Sequence, residues 1–130
     1  MTDTLLQEIL KSQDSLQTID FEINNQKFEF YFRYLTLLEK ARIEQMCVKS
    51  NITINDDGSK TTKYEKQDHL YPIYLILEKA LDKDGKRLFS HTNSKHFDII
   101  SKLPAGVASY VAYQMAIDIM GNLEKDNDGE

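Results

Sequence analysis

Near the N-terminus two short runs alternate apolar and polar residues. Ile19, Phe21 and Ile23 are separated by Asp20 and Glu22, and Phe28, Phe30 and Phe32 by Glu29 and Tyr31. A period of two belongs to a half-covered strand, so the pair predicts an antiparallel β-hairpin with one aromatic face. Two registers keep that face intact. Pairing Ile23 with Phe28 sets Glu22 opposite Glu29. Sliding the strands by two residues sets Glu22 opposite Lys27 and makes Asn24-Asn25 a left-handed turn. Both remain open at this level. A two-stranded hairpin with a bare aromatic face does not stand alone in water, so helices must cover it.

The remaining periodicity is helical. Leu5, Leu6, Ile9 and Leu10 share one side of a short helix opening at Asp3 or Thr4. Thr36-Leu37-Leu38-Glu39 is a capping box, which predicts a helix running to about Lys49. Its apolar residues fall on two sides: Leu37, Leu38, Ala41 and Val48 on one, Ile43, Met46 and Cys47 on the other. Leu70, Ile73, Tyr74, Leu77 and Leu81 follow helical spacing, with Pro72 confined to the first turn and the Asp82–Gly85 turn closing the helix. Asn93 or Ser94 can cap a further helix carrying Phe97, Ile100 and Leu103, closed by Pro104. Residues 51–66 are polar and contain Asp56-Asp57-Gly58, and they read as a long mobile loop with an extended piece at 52–54. The last nine residues, 122–130, hold four acids and one lysine and read as a disordered acidic tail.

The final helix, over 105–120, has twelve apolar residues among sixteen. A surface helix needs a third to a half of its circumference apolar. Such a helix either runs through the middle of the domain or buries a second face against another chain. Candidate partner-binding residues are therefore Val107, Tyr110, Val111 and Met115 on this helix, with Phe28 and Phe30 on the hairpin. The expected fold class is α+β, mostly α-helical: an N-terminal β-hairpin packed against a bundle of about four to five helices, in one domain spanning 1–121.

Composition narrows the function more than it names it. The chain has 130 residues, with 16 Lys+Arg against 21 Asp+Glu, a net charge of −5. That balance argues against a nucleic-acid binder. The longest apolar run, 71–77, is too short to cross a bilayer, and no basic stretch precedes an apolar one near the N-terminus, so a cytoplasmic protein is expected. Cys47 is the single cysteine and lies in no catalytic signature. His69, His91 and His96 lack metal-ligand spacing, and no Gly-rich phosphate loop is present. The segment from Asp82 begins like a calcium loop, but its sixth position is Arg87 rather than Gly and its twelfth is Asn93 rather than Glu. Lys79, Lys83, Lys86 and Arg87 form the one basic cluster, read as a solvated helix end. No enzymatic role, cofactor or metal is expected.

The order of features is informative beyond its parts. The aromatic hairpin is followed by Arg-Tyr-Leu-Thr-Leu-Leu-Glu-Lys-Ala-Arg at 33–42 and by Leu-Asp-Lys-Asp-Gly-Lys-Arg-Leu-Phe at 81–89, and the chain then reaches a helix rich in small residues. Over 18–120 this layout resembles the small tail assembly chaperones of long-tailed bacteriophages and prophages. The resemblance implies a non-enzymatic protein of the host cytoplasm that self-associates, coats the apolar helical tape-measure protein, and is displaced when tail-tube subunits polymerise. Many such proteins also exist in a longer, frameshifted form. A structural subunit retained in the particle, such as a head–tail connector or tail-tube-associated protein, is the competing expectation from size, acidity and hairpin.

Overall fold

A computed structural model of the chain describes residues 2–117. The fold is α+β, and its first half is built around the predicted hairpin. Strands β1 (Leu16–Ile23) and β2 (Gln26–Arg33) pair antiparallel, with Glu22 opposite Lys27, Phe21 opposite Phe28 and Ile19 opposite Phe30. Of the two registers, the one with the Asn24-Asn25 turn is adopted. Both residues have positive φ, 53° and 66°, the backbone a two-residue hairpin turn needs and asparagine tolerates. Opposite charges at Glu22 and Lys27 replace the repulsion of the other register. Before the hairpin lies helix α1 (Thr2–Asp14), and after it helix α2 (Leu37–Met46).

The capping box of α2 forms in full: Glu39 N donates to Thr36 Oγ1 at 3.1 Å, and Thr36 N donates to Glu39 Oε1 at 3.0 Å. The helix stops at Met46 rather than near Lys49, because Cys47 turns the chain and Val48 already begins a strand. The segment expected as a loop over 51–66 is instead a second hairpin, β3 (Val48–Ile54) with β4 (Lys60–Lys66). Its turn is held by side chains. Asp57 accepts hydrogen bonds from the hydroxyl and the N–H of Ser59, which keep its carboxyl below the ordinary range, and Asn55 bridges Ser59 and Thr61. Gly58 supplies the positive φ of 85°. At the base of the hairpin, Gln67 N donates to Cys47 O at 2.7 Å.

A turn of 3₁₀ helix (Asp68–Leu70) leads into α3 (Tyr71–Lys79), with Pro72 in its first turn as expected. This helix, not the last one, is the centre of the domain. Leu75, Ile76 and Leu77 are all buried, and α2, α4 (Ser94–Ser101) and α5 (Ala105–Ala116) pack around it. The helix ends at Lys79. Leu81, expected on its last turn, instead forms backbone bridges to Tyr31 and Arg87, tying the hairpin to the following loop. Asn93 caps α4 through Lys95 N at 3.0 Å, and Leu103 and Pro104 separate α4 from α5. Helix α5 packs on α3 and β1 through Val111, Ala112 and Met115. These meet Ile19 and Phe32 of the first hairpin in one core, with Ile43 from α2 and Ile100 from α4. The helix expected over 105–120 ends earlier, at Ala116, because Ile117 is extended. Residues 118–120 of that expectation and the acidic tail expected at 122–130 lie outside the described residues.

The Asp82–Gly85 segment is a tight turn, as its residues suggested. Asp82 Oδ1 accepts from Asp84 N and Lys86 N, both at 2.9 Å. Gly85 has φ 80°, and a Cβ there would lie 2.8 Å from Arg33 Nη2. Gly85→Ala is expected to cost about 1–2 kcal/mol from the left-handed backbone alone, read as a fall in the thermal midpoint.

Lys79 corrects the sequence reading of a solvated basic helix end. Only 6% of it is exposed. Its ammonium donates to both carboxylate oxygens of Glu39 at 3.0 Å, so the capping residue of α2 also neutralises a cation inside α3. Burial alone would raise the Glu39 pKa. The N–H of Thr36 and the Lys79 ammonium outweigh it and hold the carboxyl below its ordinary value of 4.5. A depressed folded pKa means the contribution to stability is complete above the ordinary value and is lost as pH falls through the lower, folded one. Glu39→Gln is expected to cost about 2–3 kcal/mol at pH 7, the worth of hydrogen bonds to a charged group. Denaturant melts of the two proteins should converge as the pH drops below 4.5.

Candidate interaction surface

Helix α1 has an apolar side and almost nothing to cover it. Leu5, Leu6, Ile9 and Leu10 fall within one face at helical spacing, yet all four are exposed, Leu5 at 61%. The helix touches the rest of the protein mainly along β2. Beside it, the start of α2 adds two more bare leucines, Leu37 at 86% and Leu38 at 69% exposed. The two elements meet in a shared groove lined by Ile9 and Gln13 of α1 and by Tyr34, Leu35, Leu37 and Leu38. The capping box explains why Leu37 and Leu38 face outward: it anchors the helix start through Thr36 and Glu39 and turns Ile43 and Lys79-bound Glu39 inward.

Six exposed aliphatic side chains thus lie along α1 and the start of α2, three of them, Ile9, Leu37 and Leu38, around the shared groove. At the usual value for burying an aliphatic side chain, covering them offers on the order of 5–10 kcal/mol before the costs of association. Clustered apolar exposure of this kind marks interaction surfaces in soluble proteins. The charged residues flanking the α1 face are Asp3, Glu8, Lys11 and Asp14, a polar rim of mostly negative sign.

The candidate residues read from the sequence fall into three groups. Val111 and Met115 are 0% exposed, so they belong to the core and correct the reading that placed them at a partner surface. Val107 and Phe30 are half-buried and pack against that core. Phe28 and Tyr110 are exposed. Phe28 is the open end of an aromatic row in which it stacks on Phe21 (5.8 Å), which tilts against Phe30 (4.9 Å), which meets Phe89 edge-on (5.8 Å). The excess apolar surface of α5 is accounted for by one buried face and by Tyr110 and Tyr113 on the outside. The leucines of α1 and α2 were visible as apolar residues in the sequence, but nothing in their spacing told covered from bare.

Other groups are engaged structurally. The Cys47 thiol is buried and donates to Ile43 O at 3.4 Å. Burial, then the carboxylates of Asp68 and Glu44, push it above its ordinary range, away from the thiolate a nucleophile requires. His96 Nδ1 accepts from Ser90 N at 3.0 Å, and His91 Nδ1 contacts Glu78. Among the described residues no cluster of His, Cys, Asp or Glu could hold a metal ion, and no helix is long and apolar enough to cross a membrane.

Compared with known proteins, the chain matches no family model, no curated protein and no solved structure.

Proposed function

We propose that the protein is a non-catalytic assembly chaperone that self-associates and shields apolar helices, acting on the tape-measure protein of a long-tailed phage in the host cytoplasm. The bare apolar face of α1, continued by Leu37 and Leu38, is the observation that carries this reading. A long apolar helix needs a matching apolar stripe, and an amphipathic helix lying beside a groove is the simplest surface that supplies one. The order of hairpin, capping box and Asp-Lys-Asp-Gly turn, which resembles the tail assembly chaperones, supplies the identity of the client.

Light scattering on the purified chain, alone and with an apolar helical tape-measure fragment, tests it. Oligomers, or a complex with the fragment, are expected. A strict monomer that ignores the fragment at high concentration contradicts the proposal. Mass spectrometry of purified particles separates the competing role: a chaperone is absent from finished tails, whereas a connector or tail-tube-associated subunit is present at many copies.

A further inference from the structure

The chain is acidic overall, yet one cleft of its surface is cationic. This cleft, with a volume of about 300 Å³, gathers Arg33 from the end of β2, Glu39 and Arg42 from α2, Glu78 and Lys79 from α3, and Arg87 from the loop that follows. Both carboxylates are already occupied. Glu39 holds the Lys79 ammonium through both of its oxygens, each at 3.0 Å. Glu78 accepts from Arg87 Nη2 at 3.1 Å and is also met by His91. Arg87 donates further to Leu77 O at 3.4 Å. Arg33 and Arg42, by contrast, have no acidic partner among the described residues. Four cations against two carboxylates leave the lining with a surplus of two positive charges.

The place of Arg33 is built into the backbone. Gly85 also lines the cleft, and a side chain at that position would meet the guanidinium at 2.8 Å. A guanidinium keeps its charge at any accessible pH and presents paired N–H donors matched to an oxyanion. A single carboxylate would neutralise one of the two surplus charges. A phosphate group carries between one and a half and two negative charges near neutrality, which fits the surplus more closely. We propose that this cleft binds a phosphate dianion, free or as a monoester. Arg33 and Arg42 grip its oxygens, while Arg87 and Lys79, fixed by Glu78 and Glu39, form the positive wall behind them.

Calorimetric titration of the full chain with inorganic phosphate, at ionic strength held constant with sodium chloride, tests the site, and O-phosphoserine serves as the monoester probe. Saturable binding at one site per chain is expected, with acetate at the same concentration giving none. Losing hydrogen bonds to a charged group corresponds to about tenfold weaker binding, or more, in Arg33→Gln and in Arg42→Gln. Lys102→Gln, on another helix end, leaves the affinity unchanged. Tight binding of phosphoserine points to a phosphorylated ligand, and binding of inorganic phosphate alone points to the free ion. Arg42 is exposed on α2, so Arg42→Gln decides the matter even if circular dichroism shows that Arg33→Gln fails to fold. Absence of saturable binding, or equal affinity in the Arg42→Gln protein, overturns the proposal.

Discussion

Leu6→Asp combined with Leu38→Asp is expected to abolish client binding and self-association while leaving the fold in place. Both side chains are more than half exposed in the isolated chain, and neither belongs to the core. Surface substitutions of that kind shift stability by only about half a kcal/mol, and aspartate in the interior of a helix adds a similar propensity cost. At Leu38 even that cost is offset, because the position lies in the first turn of α2, where a negative charge is favoured by the helix dipole. The effect on a partner is much larger. An apolar helix laid on the patch would have to bury two unpaired carboxylates, and loss of a central aliphatic anchor alone costs about 2 kcal/mol or more, a thirty-fold or greater fall in affinity. Light scattering beside circular dichroism reads both halves of the outcome. Unaltered binding by the double variant would remove the patch from the account.

Met115→Asp is expected to do the reverse, destroying the fold rather than a surface. Met115 is fully buried on α5, within the core that joins α5 to α3 and the first hairpin, and the one buried charged residue among the described residues, Lys79, is already held by Glu39. Removing its side chain leaves a cavity worth about 2–5 kcal/mol, and an unpaired carboxylate adds a further penalty of several kcal/mol. Small domains have a total stability of about 5–15 kcal/mol, so the variant should lose its cooperative melt. Met115→Leu, which conserves volume, should cost less than about 1.5 kcal/mol. A folded Met115→Asp protein that merely failed to bind its client would mean that α5 works at an interface after all.

The contrast between these two substitutions marks what the sequence can reveal. Local rules that act between near neighbours were legible: the capping box at Thr36 and Glu39, the placement of Pro72, the cap at Asn93 and the turn at Gly85 all form as their residue types dictate. The first hairpin was legible because one of its faces is buried, which leaves an alternating signature. Its register could not be read, since sliding by two residues keeps every phenylalanine on the same side. The second hairpin was missed for a related reason. Every residue of β4 and nearly all of β3 is exposed, so burial imposes no alternation, and the strands are defined by backbone pairing and the hydrogen-bonded Asp57–Ser59 turn.

The candidate site was harder to see. Apolar spacing on α5 and on α1 looks alike in a sequence, yet one face is buried on α3 and the other is bare. Which helix takes the central position is a tertiary outcome. Here α3 takes it, with three consecutive buried residues and the buried Lys79 whose partner, Glu39, lies forty positions away. A lysine at the end of an amphipathic run gives no local sign that a distant carboxylate awaits it.

Hydrogen exchange of the full chain with and without an apolar tape-measure fragment puts the central idea to the most direct test. New protection confined to α1 and the first turn of α2, around Leu5, Leu6, Leu37 and Leu38, is the expected pattern. Protection that instead falls on other elements, with α1 exchanging as fast as before, would contradict it.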